Sequence, residues 1–98
     1  MKQDEYIYTD SKCQSVDVLL NKDLSLIANL DIDYDTIRCC LHFDNKYAII
    51  GSENNQIIVF SLKDNFKRIS KIQTKFTPVS LLQIDKDVVM IGEWIGIV

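Results

Sequence analysis

The sequence predicts an all-β chain made of successive copies of one antiparallel, hairpin-rich unit. Three observations carry this. A self-similarity recurs at a fixed offset. Short β-branched and aromatic runs alternate with Asn-, Asp- and Ser-rich turns. Several of those runs are apolar on both faces, the pattern of strands covered on both sides.

The offset is read by placing Tyr6–Asp23 above Tyr47–Asp64, so that 47 − 6 = 41. Five of the 18 columns are identical: Tyr6/Tyr47, Ser11/Ser52, Val18/Val59, Lys22/Lys63 and Asp23/Asp64. Ordinary residue usage gives roughly one such match by chance. The same step carries Leu41–Gly51 onto Leu82–Gly92, where Asp44/Asp85, Ile50/Ile91 and Gly51/Gly92 coincide. Between copies, Leu24–Leu30 aligns with Phe66–Ile72 after one residue of slippage. Repeats of about 40–45 residues have the length of one four-stranded propeller blade.

The elements follow in order. Glu5–Thr9 and Ser15–Leu20 read as strands because they are the copies of Tyr47–Gly51 and Gln56–Leu62. Leu24–Leu30 closes the first unit. Val16, Leu19, Leu20, Leu24, Ile27 and Leu30 also fit helical spacing. A helix, however, would set Asp23 inside its apolar stripe, and Ile57–Leu62 is too rich in β-branched and aromatic residues to be helical. Ile37–Phe43, Tyr47–Gly51, Gln56–Leu62 and Lys67–Gln73 form the next unit, separated by Asp44-Asn45-Lys46, Ser52–Asn55 and Lys63-Asp64-Asn65. Asn54-Asn55 and Gly96 stand where a hairpin turn needs positive φ. The third unit starts near Val79, with Pro78 at the mouth of its strand, where a missing N–H does little harm. Ala48-Ile49-Ile50, Ile57–Phe60 and Val88–Ile91 are apolar without alternation, so each expects a neighbour on both sides.

At Gly51-Ser-Glu-Asn-Asn-Gln-Ile-Ile-Val-Phe-Ser-Leu62 the chain resembles the WD-repeat family, whose signature runs Gly-Ser-x-Asp-Gly-Thr-Ile-x-Val-Trp-Asp-Leu. Gly51, Ser52, Ile57, Val59 and Leu62 match, and Phe60-Ser61 replaces Trp-Asp. Gly92–Val98 resembles the start of the same motif. No Gly-His pair precedes Ile37 or Val79, and Asn54 holds the place of the turn Asp, so the family's hydrogen-bond tetrad does not carry over. The resemblance spans nearly the whole chain. It implies antiparallel four-stranded blades of a β-propeller, about two and a fraction blades in an incomplete ring. With strands lettered a to d outward from the channel, residues 1–30 supply b, c and d of a first blade. Residues 31–78 make one complete blade with its flanking loops, and 79–98 give a, b and the start of c. Complete propellers have at least four blades, so 98 residues are expected to need further blades, or another subunit, to complete the ring.

Composition excludes several classes. A chain 47% hydrophobic and 26% charged is too apolar for a disordered segment. Net charge −3, with only Lys67-Arg68 adjacent, leaves no basic footprint for nucleic acid. No run approaches the ~18 apolar residues of a membrane span. Met1–Glu5 lacks the apolar core of a signal peptide. Three cysteines, an odd number, suit free thiols in a reducing compartment, so a cytoplasmic location is expected.

Catalytic and metal chemistry find little support. Cys39-Cys40-Leu41-His42 is the only Cys/His cluster in the sequence. On a strand, Cys40, His42 and Asp44 share a face and Cys39 points away. Zinc sites want four ligands in paired spacings, and no partner cluster exists. Nothing orients the histidine for a Cys-His nucleophile, so small buried thiols and one satisfied histidine account for the segment. Asp31, Asp33, Asp35, Glu53 and Glu93 fall in expected turns, where carboxylates cap backbone. No cofactor is expected, and the chain is read as a non-enzyme.

Trp94 is the residue singled out for binding. It falls in the expected b–c turn of the third unit, with two roles open: anchor for a partner, or packing against a neighbouring blade. By the resemblance, b–c and d–a loops gather on one rim, which would cluster Glu93 and Trp94 with Glu53, Asn54, Tyr34, Asp35 and Phe76. The expected function is a scaffold module binding a protein or peptide at that rim. The alternative is an architectural segment of a larger subunit or assembly with no ligand site of its own.

Overall fold

The structure is a computed structural model that describes residues 6–11, 15–20, 22–33 and 35–94. Among these residues, nine strands form three antiparallel sheets in chain order. The first sheet holds β1 (Tyr6–Ser11), β2 (Ser15–Leu20) and β3 (Leu26–Asp31). The second holds β4 (Ile37–Phe43), β5 (Tyr47–Ser52), β6 (Gln56–Ser61) and β7 (Lys67–Gln73). The third is the hairpin of β8 (Thr77–Asp85) and β9 (Val88–Trp94). Among the described residues the sheets do not close into a ring.

The sequence repeat reappears as a hydrogen-bonding repeat. β1 pairs with β2 from Tyr6↔Leu20 to Ser11↔Ser15, and adding 41 to every residue gives the β5–β6 register, Tyr47↔Ser61 to Ser52↔Gln56. The β4–β5 irregularity at Ile37/Cys39 recurs in β8–β9 at Pro78/Ser80 (78 − 37 = 41). That between Val18 and Leu19 recurs between Val59 and Phe60. A bulge re-aims a strand, so its recurrence fixes the same bend in each copy. After the one-residue slip, Leu24 and Phe66 take φ 60° alike (66 − 24 = 42). That left-handed residue explains why β3 starts at Leu26 and not Leu24. Leu24 N–H donates to Leu20 C=O at 2.8 Å, closing the turn before the strand begins. Val16–Leu30 is strand and turn throughout its described residues, with no helix.

The sheets stack in sequence order. Val16, Val18, Leu30 and Ile32 pack against Ala48, Ile50, Ile58 and Phe60. On the other face of the second sheet, Phe43, Ile49 and Ile57 take Leu81 and Val89 of the third. β5 and β6 are therefore covered on both faces, as their unbroken apolar runs require. Gly51 leaves room on this face: a Cβ there would lie 2.5 Å from Cys39 Sγ on the paired strand β4 and 3.1 Å from Pro78 Cγ on β8, so a larger residue would crowd both. Pro78 itself is buried as the second residue of β8, next to the bulge.

Salt bridges tie the first two sheets at their outer edge. Arg68 on β7 grips Asp33 through two bonds of 2.9 and 3.1 Å, and Lys71 Nζ adds a third at 3.0 Å. Asp33 follows β3 in the left-handed region at φ 62°, a conformation Asp tolerates better than most residues.

Candidate functional site at the loop end

The connections preceding β4 and β8, and the β5–β6 turn, meet at one end of the stack. Asp35 is 5% exposed, and its carboxylate accepts from Thr36 N–H at 2.8 Å and from Asn54 N–H at 3.0 Å. Glu53 N–H donates to Thr36 C=O at 2.8 Å, and the Glu53 side chain pairs with Arg38. The turn then reaches the next connection. Thr77 Oγ1 donates to Asn55 Oδ1 at 3.0 Å, and Thr74 N–H donates to Asn55 C=O at 2.7 Å. Asn55 takes φ 62° in the turn, one place along from Asn54. Phe76 N–H donates to Glu93 Oε1 at 2.9 Å.

Six of the seven residues expected at a rim are thus connected: Asp35, Glu53, Asn54, Phe76, Glu93 and Trp94, the last lying opposite Thr77 in the ladder. Tyr34 lies outside the described residues. Two corrections apply. Asp35 is a buried brace between loops, so it offers a partner little surface. Trp94 is the last residue of β9 and not part of a turn, because the Thr77↔Trp94 pair continues the ladder. Its side chain shares a sheet face with Val88 and Met90. Surface for a ligand is left by Glu53, Asn54, Phe76 and Trp94, with the Lys75 ammonium 5.5 Å from the Phe76 ring centroid.

The Cys/His segment is a packed joint. Cys40 and His42 face the first sheet, and Cys39 faces the other way, near Gly51. His42 Nε2 lies 2.9 Å from Asn45 Oδ1, and Nδ1 lies 2.8 Å from the Tyr8 hydroxyl. A carbonyl oxygen only accepts, so with this amide assignment Nε2 carries the proton and Nδ1 accepts from Tyr8. Burial raises the Tyr8 phenol well above its ordinary value, with Cys40 and Tyr6 adding to it, which keeps it a neutral donor. Burial likewise pushes the Cys40 thiol up to about 12 and raises that of Cys39. Such thiols stay protonated near neutral pH and make poor nucleophiles. Among the described residues no group of three or more His, Cys, Asp and Glu converges as metal ligands, and no helix is long and apolar enough to cross a membrane.

Two devices escaped sequence reasoning. The Asp33–Arg68–Lys71 pin joins residues 35 and 38 positions apart, and no local pattern announces it. The Tyr8–His42 bond spans 34 positions. Its one trace in the sequence is a polar residue kept at one place in two copies, His42 and Gln83, within otherwise apolar strands. Comparison with family models, with curated proteins and with solved structures finds no match.

Proposed function

We propose that the chain is a non-enzymatic protein–protein interaction module of WD-like β-propeller character, binding a protein or peptide at its loop end. The observation that carries this reading is the gathering of two inter-sheet connections and the β5–β6 turn into one braced surface. That surface leaves Phe76, Glu53 and Asn54 outward. Loops held by a rigid sheet scaffold are the usual carriers of recognition, and aromatic residues are favoured anchors. The recurrence of register and bulges at 41 residues supports blades as the repeating unit. The occupied nitrogens of His42 and the protonated thiol of Cys40 support a binding role over a catalytic one. Free thiols at Cys39 and Cys40 suit a cytoplasmic setting.

The test is selection of peptides from a random displayed library on the immobilised chain, followed by titration of the enriched peptides. Phe76→Ala and Glu53→Lys are expected to weaken them at least tenfold, about 1.4 kcal/mol, with the β-type circular dichroism unchanged. Peptides that bind both variants as tightly as the parent would remove the loop end from the site.

One observation favours an architectural role alongside it. The outward face of β8–β9 is apolar and uncovered by any described residue.

A further inference from the structure

The register repeat identifies what that bare face is. On the second sheet, the residues turned toward the third include Leu41, Phe43, Tyr47 and Ile49. Adding 41 to each gives Leu82, Ile84, Val88 and Met90, all exposed. Leu82 is 55%, Met90 51% and Trp94 56% accessible. Leu82 and Met90 are directly opposite in the ladder, and Trp94 follows on the same side of β9. The third sheet therefore carries the apolar forward face of the repeat, and no described residue is laid upon it.

The other end of the stack is different. On the first sheet, Ser15 and Asp17 point away from the second, because Val16 and Val18 point toward it. Asn29 Nδ2 donates to Ser15 Oγ and to Asp17 Oδ1, each at 2.8 Å. The described residues of this rear face combine that polar cluster with Leu19 and its ladder partner Leu26, which is exposed. Pressing it onto an apolar sheet would strand a carboxylate and an amide away from water, which is costly.

We propose that the forward face of β8–β9 is a homodimer interface, covered by the same face of a second copy of this chain. Front-to-rear addition is disfavoured by the Ser15–Asp17–Asn29 network, and front-to-front association buries like against like. An isologous contact of that kind closes at two copies and builds no filament. Side chains of this size, about half exposed, present on the order of 500 Å² per copy, at the upper end of the largest apolar patch on a typical monomer. Two copies together bury about 1,000 Å², the lower bound for a specific association. This interface is centred away from the loop end and meets it only at Trp94, because Leu82, Ile84, Val88 and Met90 lie on the sheet face and not among the connections.

The chain contains a single tryptophan, so Trp94 reports its own face. Sedimentation and Trp94 emission are measured on the full chain from about 1 to about 100 µM, the range in which a small interface dissociates. The expected result is a monomer–dimer transition with no larger species, with Trp94 emission shifting to the blue as dimer forms. Leu82→Lys/Met90→Lys is expected to stay monomeric and red-emitting throughout, with wild-type circular dichroism. A parent chain that stays monomeric with unshifted emission would overturn the proposal. So would an open-ended series of larger species, or a dimer that persists in the double variant with its tryptophan still red. Loss of the dimer with peptide binding intact would leave the loop-end reading standing.

Discussion

Replacing Gly51 by alanine crowds β5 against both its paired strand β4 and β8 of the third sheet. The added methyl would stand 2.5 Å from Cys39 Sγ and 3.1 and 3.2 Å from Pro78 Cγ and Cβ. The sulfur must retreat by about 1 Å to restore ordinary contact, and the proline ring is rigid. Overpacking of this kind costs about 1–3 kcal/mol. Reduced freedom of the unfolded chain returns about 0.4–1 kcal/mol. The net expectation is a loss of about 1–2 kcal/mol, or roughly 5–15 °C in Tm for a chain of this length. Urea unfolding followed by circular dichroism should show a lower midpoint with an unchanged slope. Cys39→Ala removes the sulfur, so the double variant should be more stable than the sum of the single losses by on the order of 0.5–1 kcal/mol. Gly92→Ala is the matched control: its methyl would meet chiefly the Ser80 hydroxyl, which can rotate, and no described residue of another sheet lies against it. Its cost should stay near 0.5 kcal/mol. A Gly51→Ala chain as stable as the parent, or strict additivity with Cys39→Ala, would refute the reasoning.

The Asp33 pin and the buried thiols give two further tests. Arg68 and Lys71 hold the Asp33 carboxyl well below its ordinary value of 3.8. Its contribution to stability is therefore present above that value and lost as pH falls below it. Asp33→Asn keeps a side chain that tolerates positive φ, and should cost about 1 kcal/mol at pH 7 because the pair is partly solvent-screened. In acid the variant and the parent should converge, and an equal gap at pH 7 and pH 2 by urea unfolding would contradict the assignment. Cys40, with its thiol pushed up to about 12, should react with a chromogenic disulfide at pH 7 far more slowly in the native chain than in denaturant. Comparable rates in both states would place it at the surface.

Much of this architecture could be read before any coordinates. Ile37–Phe43 and Lys67–Gln73 are strands with the bounds their composition suggests, since each is closed by turn residues. Two-sided burial at Ile49-Ile50 and Ile57-Ile58 followed from runs that never alternate. Leu24 misled because its apolar side chain looks like a strand residue, whereas the backbone corner it occupies sets it apart. Trp94 misled for a related reason. In the second sheet the backbone bond from Glu53 to Thr36 lies just beyond the strand, while the matching pair Trp94 and Thr77 lies inside the ladder. Asp35 reads as a solvated turn carboxylate, whereas it is buried between two loops. The copy gives no warning, because its counterpart is Phe76 (76 − 35 = 41), and the two joints use different polar groups. The electrostatic pin was invisible because charge pairs across sheets follow the stacking, which one sequence does not display.

Among the described residues, every strand bonds only to its immediate successor or predecessor along the chain. No segment has to wait for a distant one, so hairpins can nucleate locally and zip outward, a route that favours rapid folding. The same arrangement confines damage, because each meander leans only on its neighbours. In the monomer, loosening is expected to begin in the β8–β9 hairpin, which among the described residues has a sheet on one face only. It should reach the doubly sheathed β5–β6 pair last, so amide protons of the centre exchange most slowly.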